Sequence, residues 1–81
     1  MTVGQRMARA RVTRGLTLQE LSEATKLRAS ALDAMEHDDF SVCGGSAYVR
    51  GQLRCLAPLL GLDPEELVVA YYEDRRRLAV A

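Results

Sequence analysis

Residues 17–36 read TLQELSEATKLRASALDAME, and the spacing of their apolar side chains sets the expectation for the rest of the chain. Leu18, Leu21 and Ala24 recur at i, i+3, i+6, and Ala31, Leu32 and Met35 follow after Leu27, which predicts two short helices sharing one buried side. Thr25-Lys26-Leu27 leaves room only for a tight turn between them. Thr17 with Glu20 three residues on forms a capping box, so the first of the two helices is expected to begin at Leu18. Two helices of about two to three turns joined by a three- to four-residue turn are the arithmetic of a helix-turn-helix.

Upstream, Val3, Met7 and Ala10 recur at helical spacing, and Gly15 is the expected left-handed stop after Arg14. The arginines of this first helix read as a solvated face, with Arg11 and Arg14 suiting the negative helix end. Downstream, HDDFSVCGGS (37–46) is a loop whose Phe40 and Val42 are expected to fold inward, Phe40 as a core anchor; His37 reads as a surface residue. From Ser46 a fourth helix places Val49, Leu53, Leu56 and Leu60 on a core stripe. A second stripe, Tyr48, Gln52, Cys55 and Leu59, lies about 100° around it. Arg50 and Arg54 point away from both. Gly51 suggests the close approach of another backbone, and Pro58 predicts distortion between Arg54 and Pro58. Asp63-Pro64-Glu65-Glu66 opens a fifth helix, with Leu67, Ala70, Tyr71 and Leu78 inward and Arg75-Arg76-Arg77 near its end. The fold class is therefore all-α, a five-helix bundle.

At 81 residues the chain is expected to be one domain over 1–81, with its core at about 3–74 and a basic end at 75–81. It is 48% hydrophobic, yet no run approaches the roughly 18 apolar residues of a membrane span. No apolar segment follows the N-terminal arginines as in a signal peptide, so residence in the cytoplasm is expected. If the sequence opens a longer one, the Arg75–Arg77 cluster suits the cytoplasmic flank of a later single span in the inner membrane. In a reducing compartment Cys43 and Cys55 are expected to be free thiols; with a single histidine they cannot make a structural zinc site. No nucleophile–base pair, metal set or phosphate loop stands at usable spacing, so neither catalysis nor a cofactor is expected. Net charge is zero but uneven: residues 1–27 carry +3, and residues 28–39, the motif's second helix and the start of the loop beyond it, carry −3. That sign opposes an approach to phosphates.

Gln19, Ala24, Leu27, Leu32 and Met35-Glu36 within residues 17–36 resemble the Cro/repressor family of helix-turn-helix proteins. A longer resemblance rests on ARVTRGLTLQELSEATKLRASALDAMEHDDF (10–40) and AYVRGQLRCLAPLLGLDPEELVVAYYE (47–73). Asp39-Phe40, the aromatic-X-Arg-Gly of Tyr48–Gly51 and the Leu-Gly-Leu-Asp-Pro of 60–64 follow in the order found in the cytoplasmic N-terminal domain of RodZ-type bacterial cell-shape proteins. The resemblance implies a non-catalytic protein-interaction module that docks an MreB-like cytoskeletal filament, or another divisome or elongation protein, through aromatics near the start of the fourth helix. Tyr48 matches the first of these aromatics, while Gln52 and Leu56 stand where later ones fall. The expected protein-binding residues are Tyr48, Gln52, Arg50, Cys55 and Leu59; for Tyr48, packing over Leu32 or Leu53 is the competing reading. The alternative function is transcriptional regulation on duplex DNA, with the motif's second helix in the major groove. Gln19, Lys26, Arg28, Ala29, Ser30 and Asp33 would then face the nucleic acid; of the residues at base edges, only Arg28 and Ser30 offer the usual donors.

Overall fold

A computed structural model of the chain describes residues 1–80, with side-chain surroundings for all of these except Ser46 and 78–80. Five α-helices follow one another: α1 (Val3–Thr13), α2 (Leu18–Thr25), α3 (Ala29–Glu36), α4 (Ser46–Leu60) and α5 (Pro64–Val80). A single 3-10 turn, Ser41–Cys43, lies between α3 and α4. No strand occurs among the described residues. The expected inward side of Leu78 falls outside the residues whose side-chain surroundings are described.

The Thr17–Glu20 capping box forms, and α2 starts at Leu18. Lys26 then turns the chain in the left-handed region at φ 65°, a conformation rarely taken by a side-chain-bearing residue. Local bonds hold the turn: Thr25 Oγ1 donates to the Leu21 carbonyl (2.8 Å) and accepts from the Leu27 amide (3.3 Å), while Ser22 Oγ donates to the Leu27 carbonyl. Leu21, Leu32 and Met35 are buried, but Ala24 is exposed. The i, i+3, i+6 pattern drifts about 120° around a helix, which carries its third member off the shared face.

α1 ends as the sequence predicts, with Gly15 left-handed at φ 71° and the Leu16 amide bonded back to the Arg11 carbonyl. Its N-terminus is held by two distant carboxylates. Asp38 accepts from Thr2 Oγ1 (2.6 Å) and the Gly4 amide (2.9 Å), and Asp74 accepts from the Val3 amide (2.7 Å). These carboxylates and Thr2 Oγ1, bonded to the Gln5 amide, satisfy three donors that a helix start leaves without partners. α1 thereby packs tightly on the end of α3: a Cβ at Gly4 would lie 2.6 Å from the Met35 carbonyl oxygen.

The arginines of α1 are not one solvated face. Arg11 makes two bonds to Glu36, at 2.7 and 3.1 Å, with the side chains only 16% and 6% exposed. Its third bond, to the Leu16 carbonyl (2.8 Å), completes the fork. The hydrogen bonds to Glu36 hold the guanidinium more firmly protonated than usual.

Around this frame α4 and α5 pack along one another and complete the core. Val49, Leu53, Leu56 and Leu60 are buried as expected, together with Ala57, Leu67, Val68 and Tyr71. Phe40 meets Tyr71 edge to face, ring centres 5.0 Å apart, and is the anchor the sequence predicts. Val42 does not follow it inward. Its side chain is 52% exposed, because the 3-10 turn buries Cys43 instead. Pro58 does not end α4, which runs unbroken to Leu60. Pro58 and Arg54 are both exposed, so the missing bond falls on the outer side of the helix.

Candidate functional site

α4 presents its second stripe to solvent. Its core face turns Val49, Leu53 and Leu56 inward, and the 3.6-residue repeat carries Tyr48, Gln52, Cys55 and Leu59 to one outer line about 16.5 Å long. Tyr48 is 69% exposed, which removes packing over Leu32 or Leu53 as its role. Its ring lies by the loop at Gly44, where a Cβ would come within 3.8 Å of Cδ2; Gly44 itself needs the glycine at φ 94°. Gln52 is half-buried, Cys55 exposed and Leu59 38% exposed.

Arg50 is exposed too, but it stands two residues from Tyr48, about 200° around the helix, so the structure does not bring it to this line. Gly51 corrects the expectation of a close backbone: nothing lies within 4 Å of where its Cβ would be. A mid-helix glycine in the open costs about 1 kcal/mol relative to alanine, and no contact within the chain offsets that cost. The outer line and its border therefore combine an aromatic, a thiol, a leucine, Gly51 and Pro58 with no charged side chain on the line itself. Burial pushes the Cys43 thiol above its ordinary pKa, whereas Cys55 is the accessible thiol.

The opposing candidate surface lies on α2 and α3. Gln19, Lys26, Arg28 and Ser30 are exposed, Ala29 is half-buried, and Asp33 is exposed beside His37. Arg28 occupies the position before α3 with extended backbone and makes no side-chain cap. The acidic charge read from the sequence is redistributed here. Glu36 is buried against Arg11 and Asp38 is turned to the start of α1, so of the acids within α3 only Asp33 faces solvent. Asp39 is bonded to the Ser41 amide and hydroxyl, which hold its carboxyl below the usual range. His37 Nδ1 lies 2.8 Å from the Asp33 carbonyl, and this bond raises its pKa above the ordinary 6.5. No group of three or more His, Cys, Asp or Glu side chains is placed to hold a metal among the described residues.

Sequence reasoning missed Gly4, Asp38, Asp74 and the Arg11–Glu36 pair. A further missed feature, the capping box Thr2-x-x-Gln5 at the start of α1, did carry a sequence signal, and it forms. The four features named first depend on contacts between residues 25 to 71 positions apart.

Residues 6–67 match the family described as "Helix-turn-helix domain". The cytoskeleton protein RodZ of Streptococcus pneumoniae is 36% identical over 70 residues, which cover 86% of this chain and 25% of that protein. The uncharacterized membrane protein YmfM of Bacillus subtilis is 30% identical over 59 residues, covering 73% of this chain and 20% of that one. The chain thus spans a quarter or less of these relatives. No solved structure matches it significantly.

Proposed function

Since this chain belongs to the helix-turn-helix domain family and is of the RodZ type within it, we propose that it serves cell shape as a non-catalytic module docking a protein partner. The observation that carries this reading is Tyr48, two-thirds exposed at the head of an uncharged line on α4. A tyrosine offers large contact area at low entropic cost, and such residues dominate binding energy where they are buried by a partner. Gln52, Cys55 and Leu59 extend the surface, and Arg50 would reach only a partner that wraps around α4. The relative named for the cytoskeleton makes an MreB-like filament the partner of first choice, with a divisome or elongation protein second. The relative named as a membrane protein fits a cytoplasmic domain, residues 1–81 as one unit, carried by a membrane anchor elsewhere in a longer protein. No described helix is long and apolar enough to cross a membrane.

Co-sedimentation with purified MreB-like filaments tests this. Tyr48→Ala is expected to weaken binding roughly tenfold or more while the melting temperature holds, because the ring is not part of the core. Unchanged binding by that variant would remove Tyr48 from the interface.

One observation favours a second reading, DNA binding. With Glu36 buried against Arg11, and Asp38 beyond the helix bonded to the start of α1, α3 is less acidic toward solvent than its sequence suggests, and Arg28 and Ser30 stand free at its start. Gln19 and Lys26 would add phosphate contacts. So few cations give little affinity, and random duplex DNA is expected to bind only weakly at ~0.15 M salt. Sub-micromolar binding that contacts bases through Arg28 and Ser30 would make regulation the main role.

A further inference from the structure

The outer flank of α5 is only lightly used by the fold: Glu65 pairs with Arg54 of α4, and the Tyr72 ring meets Tyr71 edge to face, centres 5.3 Å apart. Leu67, Val68 and Tyr71 are buried on its inner side, and on a flank about 120° round the helix run Glu65, Val69, Tyr72 and Arg76. These four are spaced 4, 3 and 4 residues apart, the alternation of a coiled-coil seam. Val69 is 54% and Tyr72 39% exposed, the two large apolar side chains that α5 shows to solvent among its described residues.

We propose that this seam is self-complementary and pairs two copies of this chain with their α5 helices antiparallel. The four residues are symmetric about the midpoint between Ala70 and Tyr71. A two-fold axis there sets Val69 of each copy against Tyr72 of the other, and Glu65 of each against Arg76 of the other. Closed two-fold pairs of this kind are the commonest way identical chains associate. The acid lies before the apolar pair and the base after it, so antiparallel pairing joins opposite charges, whereas parallel pairing would stack like on like. The same charge order argues for a second copy as the occupant: the complement of this helix face is the face itself, reversed.

Glu65 already accepts from Arg54 of α4 at 3.1 Å, in the open. A carboxylate has acceptor sites for a second guanidinium, so that bond need not be given up. Along one flank Glu66 and Glu73 would come near their counterparts; Arg6 of α1 lines the same hollow and moderates the repulsion. The seam is about 16.5 Å long, too short to reach the ~1,200 Å² of a stable interface. Association is therefore weak, with a dissociation constant on the order of 0.1 mM.

Sedimentation equilibrium of the 81-residue chain up to about 1 mM is expected to show reversible dimers. Glu65→Arg alone and Arg76→Glu alone should each weaken the dimer roughly tenfold, since each replaces two attractions with two repulsions. Mixing the two variants in equal amounts should restore it, because one copy then carries a base at both ends of its seam and the other an acid at both ends. A monomeric wild type, single variants that associate as well as the wild type, or a mixture no better than its components would each overturn the proposal. If circular dichroism shows either charge reversal unfolding the chain, Tyr72→Lys reads the same contact: it should weaken the dimer, and an unchanged constant would overturn the proposal.

Discussion

Gly4 has no side chain to contribute, yet its position is among the least replaceable in the molecule. A methyl there would press on two carbonyl oxygens, Met35 at 2.6 Å and Glu36 at 2.7 Å, and on Asp38 Oδ1 at 2.6 Å. Backbone of a packed helix cannot give way as a side-chain tip can, so Gly4→Ala is expected to lower stability by about 2–3 kcal/mol in urea titrations. Alanine is ordinarily the better helix former, and a stabilised variant would contradict this packing. Arg11 and Glu36 bind one another at the same junction; removing either leaves a buried charge, which typically costs about 3–5 kcal/mol. His37 gives the chain a pH dependence of known sign. The fold favours its protonated form through the Asp33 carbonyl, so the stability it adds is complete below the unfolded pKa and disappears as pH rises through the folded value. An NMR titration of His37 should show a midpoint above 6.5. His37→Gln should flatten the difference in melting temperature between about pH 5 and about pH 8.

At the scale of the element, α4 carries the clearest prediction. Gly51→Ala should raise stability by about 0.5–1 kcal/mol, since the added methyl meets open space. If a partner helix approaches closely beside Tyr48, the same substitution should weaken docking while the free protein melts higher. Stability and binding moving in opposite directions would separate an interface glycine from a neutral one. Elements whose signals are local were legible in the sequence: both helices of the motif, the Gly15 stop, the Asp63 cap that bonds the Glu65 and Glu66 amides, and the Tyr48 line. What escaped depends on which elements meet. Residues 28–39 read as one acidic block because formal charge carries no record of Arg11 and Gly4 lying against Glu36 and Asp38. Gly51 and Val42 were misjudged for the same reason: the sequence shows what is small or apolar, but only packing shows whether another element covers it.

For the whole molecule, the α4 line and the α5 seam belong to different helices, linked by the Arg54–Glu65 pair. The clamp on α1 draws the ends of the chain together, Asp74 reaching back to Val3 across 71 positions. The distribution of thiols has a practical consequence. Cys43 is shielded with its thiol held protonated, and Cys55 sits exposed on the proposed docking line. A fluorescent maleimide should consequently attach to the unmodified protein at a single place, and its emission would turn the native chain into its own binding sensor.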